Sequence, residues 1–441
     1  MSIPVVTIGA GQAELVGSLE RLHGPVTVVR RCGELSELIA ACQTGLARAA
    51  VVAGGTQDIT ATLADRLAAV GVALLGLTDD DAERARLSAL GLFAAPESVP
   101  APELARLIGR AVEQVAQDRV SLSSFAVAGA RPLAEPATDA SDGSGGDDGD
   151  DGDPERLGEV IAVWGPIGSP GRTTVAVNCA AELAADGRAV VLVDADTYGA
   201  SVAPALGLLD DSAGLAQACR LADQGLLDRQ ALERIATRVV IGGGTLRVLT
   251  GLTRADRWPE LRAAAFGDVI GRCREVADAV VVDVSFCLEA DEELSFDTMA
   301  PRRNAATLRS LELADRVFAV GAADAVGMPR LVRAISELER AVPSASPTVV
   351  FNKVRQSSIG RFPERALREA WERFGPGVPV AAMIPFDGAA ADAALLGGSV
   401  LLESAPDSGL RKAIAELVCA PVQQKRRFAR RDTKAGVEAP R

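Results

Sequence analysis

Short apolar runs alternate with amphipathic stretches along most of the chain. In the N-terminal part, the apolar runs lie at 5–8, 26–29, 50–53 and 72–77. Stretches with the spacing of an amphipathic helix lie at 34–42, 61–70 and 101–117. Each short run predicts a buried strand, and strands that alternate with helices usually pair in parallel. This part therefore predicts a small doubly wound α/β sheet.

The alternation resumes on a larger scale in the second part of the chain. Strand-like runs lie at 159–164, 189–194, 279–283, 316–320, 348–352 and 378–384. Helical spacing is clearest at 173–186 and 409–418. Residues 239–250 hold Gly242–Gly244 between two apolar halves, which predicts a hairpin. The whole predicts a mostly parallel sheet with helices on both faces.

Two segments break these patterns and set the expected boundaries. Residues 131–156 are rich in Pro, Ser, Gly and Asp, with eight acids and no base between Asp139 and Glu155. Such a tract cannot bury enough apolar surface to fold, so it predicts a flexible linker. Residues 425–434 (KRRFARRDTK) are strongly basic. We expect domains at 1–125 and 158–420, an acidic linker at 126–157 and a basic tail at 421–441.

Composition narrows the function classes. The 441 residues are 48% hydrophobic but only 3% aromatic, which suits two α/β domains with aliphatic cores. A single histidine, His23, nearly excludes imidazole-based zinc sites and Ser-His-Asp chemistry. The seven cysteines form no C-x-x-C pair and are interpreted as buried apolar residues. No apolar run is long enough to span a bilayer, so we expect a cytoplasmic protein.

The loop at 165–174 (GPIGSPGRTT) carries the first candidate chemistry. It joins a predicted strand to a predicted helix that opens with Thr173 and Thr174. Backbone N–H groups in such a loop, together with the positive end of the helix dipole, bind phosphate. Gly168 and Gly171 permit backbone conformations that a Cβ would block, and Thr173 stands where a P-loop hydroxyl reaches Mg²⁺. The loop predicts a phosphate-binding site.

Three acids follow at the expected places. Asp194 and Asp196 end the next predicted strand, and Asp283 ends a later one, 279–283 (AVVVD). Any one of them could cap a helix. Three in this order after a phosphate loop favour a shared ligand crevice at the carboxyl ends of parallel strands.

At this point the second domain resembles the MinD/ParA family, the deviant Walker A ATPases. The family loop Gly-Lys-Gly-Gly-x-Gly-Lys-Thr-Thr aligns with 166–174, its Asp-x-Asp segment with 194–196, and its Walker B Asp with Asp283. Residues 351–354 (FNKV) match the strand end whose Asn reads adenine, and 382–387 (AMIPFD) match a late turn near the base. The resemblance implies a P-loop NTPase fold.

The resemblance also implies a site for ATP and Mg²⁺. Asp196 would position the attacking water and Arg172 would replace the loop lysine, so these two are the expected catalytic residues. Thr173 and Asp283 would bind Mg²⁺. The expected nucleotide-binding residues are Gly168, Ser169, Pro170, Gly171, Arg172, Thr173, Thr174, Asp194, Asn352 and Pro385.

The loop departs from the family where its cations should be. Ile167 stands for the signature lysine that reaches across a dimer, Arg172 for the loop lysine, and Pro166 for the leading glycine. Because the chain has only four lysines, a change from Lys to Arg is compositional drift, but Ile167 is not. Losing a cation at the developing phosphoryl charge slows hydrolysis more than it weakens binding. We expect weak or slow ATP hydrolysis, and the residues leave open whether it occurs at all.

The first domain resembles a response-regulator receiver in outline, with a flavodoxin-like order of elements. Its acid pair is replaced by Ile8 and Gly9, and Ala53 and the glycines after it stand where the phospho-acceptor Asp belongs. Thr78 alone fits the family pattern. The expectation is a pseudo-receiver that docks or localises.

A pseudo-receiver before a MinD/ParA-like domain is similar to the CpaE/TadZ group of pilus-assembly proteins and equally to septum-site-determining proteins. Both imply a spatial regulator with division or pilus partners and a nucleotide-dependent homodimer. The basic tail could give weak contact with an anionic membrane surface, at the inner face of the plasma membrane. A non-enzymatic scaffold with a degenerate P-loop domain is the alternative. DNA partitioning is disfavoured, because no basic surface is visible outside the tail.

Overall fold

The structure is a computed structural model that describes residues 2–9, 12–22, 25–127, 157–208, 213–289 and 301–419. His23, the acidic tract beyond residue 127 and the basic tail lie outside these ranges. Of the helices within them, none combines the length and the apolar character that a bilayer crossing needs.

The first α/β unit is built on a parallel sheet. Its strands are β1 (Ile3–Gly9), β2 (Val26–Cys32), β3 (Ala49–Ala53), β4 (Ala73–Leu77) and β5 (Phe93–Ala95). They lie in the order β2-β1-β3-β4-β5. This is the flavodoxin-like order, which confirms the predicted receiver-like fold.

Helices cover both faces of this sheet. They are α1 (Gln12–Arg21), α2 (Leu35–Gln43), α3 (Ala61–Ala69), α4 (Asp81–Ala89) and α5 (Ala101–Val127). Because side chains alternate along a strand, Val51 packs in one apolar cluster with α5, and Val52 in another with α2 and α3. Helix α5 continues two residues past the expected domain boundary at 125, so the start of the expected linker is helical.

The carboxyl edge of this sheet is where a receiver holds its acids. Thr78 directly follows β4, and its N–H donates to the Ala95 carbonyl at 2.9 Å. The ends of β1 and β3 carry Gly9 and Ala53. That this unit accepts no phosphoryl group stays a prediction.

The second unit has a larger sheet. Its strands are β6 (Glu159–Trp164), β7 (Val190–Ala195), β8 (Thr237–Ile241), β9 (Gly244–Leu249), β10 (Ala279–Val284), β11 (Arg316–Ala322), β12 (Pro347–Val354) and β13 (Val380–Pro385). Their order is β13-β12-β11-β6-β10-β7-β9-β8. All neighbours pair in parallel except β8 and β9, which form the predicted hairpin. The mostly parallel sheet predicted from the sequence is confirmed.

Helices again cover two faces. They are α6 (Arg172–Ala185), α7 (Val202–Ala205), α8 (Gly214–Asp223), α9 (Arg229–Ile235), α10 (Ala263–Val276), α11 (Ala305–Leu313), α12 (Gly327–Ala341), α13 (Gln356–Ile359), α14 (Pro363–Phe374), α15 (Gly388–Gly397), α16 (Leu401–Ser404) and α17 (Gly409–Cys419). Two short 3-10 helices, Thr56–Asp58 and Ala255–Glu260, complete the elements. Helices α6 and α17 share one apolar core, and α8, α10 and α12 share the core on the opposite face.

The two units contact each other through α3 and α4 on one side and α8 and α10 on the other. The carboxylate of Asp223, at the end of α8, accepts hydrogen bonds from the backbone N–H of Thr62, at 2.9 Å, and from its hydroxyl. Arg86 of α4 donates to the Gln224 carbonyl at 2.8 Å. The receiver-like unit thus packs on the face of the larger sheet opposite α6.

The cysteines follow the apolar interpretation in most cases. Five of the seven are buried thiols, Cys287 is partly buried, and Cys419, at the end of α17, is exposed. For Cys419 the expectation of burial was wrong, because this last residue of α17 lies on the solvent side of the helix.

Candidate functional site

A cavity of about 530 Å³ opens at the edge of the larger sheet where the carboxyl ends of β6, β7, β12 and β13 lie. Its walls come from the loop after β6 with the start of α6, from the loop after β7, from the end of β12 and from the turn after β13. Parallel strands all end at this edge, so segments that are distant in sequence meet here.

The loop after β6 is shaped to expose backbone N–H groups. Gly168 and Gly171 have φ values of +117° and +97°, which favour glycine. A Cβ on Gly171 would lie 2.3 Å from the amide nitrogen of Asn352. Gly171 is the N-cap of α6 and offers no side chain, so the first N–H groups of the helix remain available to an anion.

A hydroxyl and a carboxylate meet beside this loop. Thr173 Oγ1 donates to Asp283 Oδ2 at 2.6 Å and lies 3.0 Å from Ser201 Oγ. The other carboxylate oxygen, Asp283 Oδ1, is buried and has no hydrogen-bond partner among the described residues. Burial, followed by the charge of Asp194, raises the pKa of Asp283 well above its ordinary range. A cation would satisfy this oxygen and favour the ionised carboxylate.

This ligand set fits Mg²⁺. A hydroxyl and a single carboxylate, completed by water and phosphate oxygens, is the coordination that Mg²⁺ adopts at phosphate sites. Within the described ranges, no group of three or more His, Cys, Asp or Glu residues is placed to hold a metal. Thr173 and Asp283, the predicted metal residues, are brought together as expected.

Asp194 is placed differently from the nucleotide-binding position expected for it. Its side chain is 1% exposed and does not line the cavity. It accepts hydrogen bonds from the N–H groups of Ser201 and Val202, both at 2.9 Å. Burial is the main cause that raises the pKa of Asp194 to about 7. Asp194 therefore holds the loop that carries Ser201 to Thr173, a contact that the sequence reading missed.

Asp196 and Arg172, the expected catalytic residues, pair with each other. Arg172 Nη2 lies 3.3 Å from Asp196 Oδ2, and Nη1 lies 3.2 Å from the carbonyl oxygens of both Gly165 and Pro166. The second Asp196 oxygen accepts the Tyr198 N–H at 2.9 Å. Both side chains line the cavity. The guanidinium thus folds back against the base of the loop and neutralises the carboxylate.

Asn352, the expected adenine reader, is 4% exposed. Its amide nitrogen donates to the Pro170 carbonyl at 2.8 Å, and its amide oxygen accepts the Lys353 N–H at 2.7 Å. The amide nitrogen therefore braces the phosphate loop, and the amide oxygen is held by the next residue of the strand. Lys353 Nζ donates to the Ser169 carbonyl at 2.9 Å and lines the cavity. The sequence reading missed Lys353, although lysine is rare enough in this chain to have been a signal.

Of the remaining residues of interest, some line the cavity and others lie outside it. Ser169, Pro170 and Thr174 line the cavity, as does Pro385, which ends β13. Ile167 lies outside it and is 58% exposed. Next to Ile167, Gly168 also lies off the cavity lining, and a Cβ on it would lie 2.5 Å from Nη1 of Arg330 on α12.

A phosphate cradle at a helix start, with a hydroxyl–carboxylate pair beside it at the edge of a parallel sheet, defines a P-loop-type nucleotide-binding α/β protein. More specifically, the chain belongs to the MinD/ParA family. The model of the CobQ/CobB/MinD/ParA nucleotide binding domain matches residues 161–400. A comparison with curated proteins found no match.

Solved structures match about three fifths of the chain. The cell division ATPase MinD of Pyrococcus furiosus is 22% identical, with 59% of this chain and 97% of that chain covered and a TM-score of 0.46. A ParA family ATPase from Chlorobium tepidum TLS is 18% identical, with 60% and 99% covered and a TM-score of 0.49. The septum site-determining protein MinD complexed with Mg-ADP, from Pyrococcus horikoshii OT3, is 19% identical, with 59% and 95% covered and a TM-score of 0.46.

Proposed function

We propose that this protein binds ATP·Mg²⁺ in the cavity at the end of β6 and acts as a nucleotide-controlled spatial regulator. The observation that carries the proposal is the contact between Thr173 and Asp283 beside the glycine loop. It leaves one buried carboxylate oxygen unpaired at the point where a P-loop protein binds its metal.

In this proposal the backbone of 169–171 and the first turn of α6 bind the phosphate chain. Thr173 and Asp283 bind Mg²⁺, which supplies positive charge to the phosphates. Pro385 and the exposed ring of Phe386 lie beside the cavity where an adenine ring can stack. Asn352 acts on the nucleotide through the loop, since both of its polar ends are already bound to protein atoms.

Hydrolysis is proposed to be slow. An attacking water needs a free carboxylate near the phosphates, but Asp196 is paired with Arg172 and accepts two backbone N–H groups. The signature lysine of the family would stabilise charge in the transition state, but this chain has Ile167 at that position. Nucleotide binding depends less than hydrolysis on a free carboxylate and on the signature lysine, because the backbone N–H donors and Mg²⁺ still hold the phosphates.

The cellular role belongs to the same proposal. Septum placement and CpaE/TadZ-like pilus assembly both fit a MinD/ParA-family domain that follows a receiver-like unit, with partners from either machinery and a nucleotide-dependent homodimer. Contact of the tail at 421–441 with an anionic membrane surface would place the protein at the membrane.

The pairing of Arg172 with Asp196 favours the second candidate function, a scaffold whose P-loop fold no longer binds nucleotide.

The test is a titration of the full chain with a fluorescent ATP analogue, with and without Mg²⁺. We expect saturable, Mg²⁺-dependent binding by the wild type and at least a tenfold weaker affinity for Thr173→Ala, because the metal loses a ligand. Thr237→Ala, on the exposed edge strand β8, is the matched control. A wild type without saturable binding would overturn this proposal and leave the scaffold as the remaining candidate.

A further inference from the structure

Lys353 lies in an unusual backbone conformation at the end of β12. Its φ is +60°, in the left-handed region that residues other than glycine rarely adopt. Along a regular strand, neighbouring side chains point to opposite faces. Here the left-handed turn breaks that alternation, and the pairing of β12 with β13 is irregular between Phe351 and Val354.

As a result, two consecutive side chains reach the same loop. Asn352 donates to the carbonyl of Pro170, and Lys353 donates to the carbonyl of Ser169. A conformation of this kind costs free energy and persists where the surrounding structure enforces it, commonly at binding sites. Asn352 already connects β12 to the loop, so the bond of Lys353 adds a second connection and places an ammonium group beside the loop.

Charge explains the position of this ammonium group. The cavity walls carry two cations, Arg172 and Lys353. Arg172 is paired with Asp196, whereas no carboxylate in the described ranges lies within 4.0 Å of Lys353 Nζ. Asp324 interacts with Lys353 at longer range, and its own carboxylate is held by the N–H groups of Val326 and Gly327. Of the two cations that line the cavity, Lys353 is therefore the one that has no ion-pair partner among the described residues.

We propose that Lys353 binds the phosphate chain of the nucleotide and so replaces, from β12, the positive charge that the loop has lost. An ammonium group has three donors, so Nζ can keep its bond to Ser169 and donate to a phosphate oxygen as well. This inference rests on the proposed function and adds a prediction of its own: Lys353 distinguishes nucleotides by the length of their phosphate chain.

The experiment measures the affinities of the full chain for ATP, ADP and AMP with Mg²⁺. The variant Lys353→Asn removes the charge and retains a residue that tolerates a positive φ. We expect ATP to bind at least tenfold more weakly and AMP less than twofold. Without nucleotide, the melting temperature should stay equal or rise. Lys353→Arg should restore part of the ATP affinity, and Lys412→Asn, which removes an exposed lysine of α17, should change nothing.

The outcomes separate the two proposals. Equal losses for ATP and AMP would mean that Lys353 only braces the loop, and unchanged ATP affinity would mean that it does not contact phosphate; each overturns this inference alone. A wild type that binds none of the three nucleotides overturns the proposed function and this inference with it. If Lys353→Asn melts lower than the wild type, Lys353→Gly, which adopts the left-handed backbone without penalty, decides between these results.

Discussion

At the scale of single residues, the site is defined by which charges are paired. Arg172 keeps the positive charge of the loop lysine, but its planar guanidinium spans two carbonyl oxygens and Asp196. A lysine ends in one charged nitrogen on a flexible stem, so it could not use two separate nitrogens in this way. The replacement therefore changes where the charge is used, and Ile167 adds none.

The first prediction concerns Ile167. Ile167→Lys should raise phosphate release from ATP at least about tenfold, because a cation at the transferred phosphoryl group stabilises the transition state. Stability should hardly change, since the side chain is 58% exposed. Val240→Lys, on the exposed edge strand β8, is the control in a phosphate-release assay. If the turnover is unchanged, the missing lysine does not limit hydrolysis, and the pairing of Arg172 with Asp196 becomes the expected cause of the slow rate.

The second prediction concerns Gly171. Gly171→Ala should lower the free energy of unfolding by about 1–3 kcal/mol and weaken ATP binding at least tenfold, because its φ is +97° and the new Cβ would meet Asn352. Gly271→Ala, in the middle of α10 with open space around it, should instead stabilise by about 0.5–1 kcal/mol. Chemical denaturation measures both. A Gly171→Ala protein as stable as the wild type would show that the loop relaxes.

At the scale of elements, helix termini fix the walls of the cavity. Asp387 is the N-cap of α15 and accepts the Ala390 N–H at 3.0 Å. Its second oxygen accepts the Ser408 hydroxyl at 2.8 Å, which joins α15 to the residues before α17. The hydrogen bond from Ala390, then that from Ser408, holds the pKa of Asp387 below its ordinary value. One carboxylate thus links two helices at the rim.

The third prediction follows from this cap. Asp387→Ala should cost about 1 kcal/mol of stability at pH 7. A carboxyl whose folded pKa is lowered stabilises above its unfolded pKa of about 3.9, and the contribution disappears as the pH falls through the folded value. The difference in unfolding free energy between variant and wild type should therefore shrink as the pH falls below about 4, measured by denaturation at pH 7 and at a series of acidic pH values. Asp392→Ala, exposed on the same helix, is the control, and a pH-independent difference would contradict the assignment.

At the scale of the whole molecule, the receiver-like unit packs on the face of the larger sheet opposite α6. Thr62 and Arg86 contact the end of α8 at Asp223 and Gln224. Gly225 follows at once, and a Cβ there would lie 2.9 Å from Leu90. A side chain at position 225 would therefore disturb the contact between the two units.

The fourth prediction tests this contact. After limited proteolysis within residues 128–156, the two fragments of the wild type should co-elute in size-exclusion chromatography. Asp223→Ala should weaken their association at least about fivefold, because the two bonds from Thr62 are lost without replacement. Asp186→Ala, which removes an exposed acid after α6, should leave it unchanged. Separation of the wild-type fragments would show that the linker alone holds the units together.

The sequence by itself determined the alternation of strands and helices, the place of the phosphate loop and the acid at the end of β10. These features depend on local spacing: apolar runs bury, glycines permit the turn, and the residue that ends a parallel strand lies at the ligand edge. For the same reason the hairpin of β8 and β9 was predictable from its glycines. The linker, the tail and the domain limits stay predictions.

Only the tertiary structure decided which polar and charged groups of the site pair with each other. Asp194 turns inward to hold the Ser201 loop, Arg172 closes on Asp196, and Lys353 reaches the phosphate loop from β12. The contact of Lys353 with Ser169 joins residues that are 184 positions apart along the chain, and all three contacts depend on rotamers and backbone conformation, including the positive φ of both Ser169 and Lys353. Spacing in a sequence carries no information about such choices, because they minimise the free energy of the packed site as a whole.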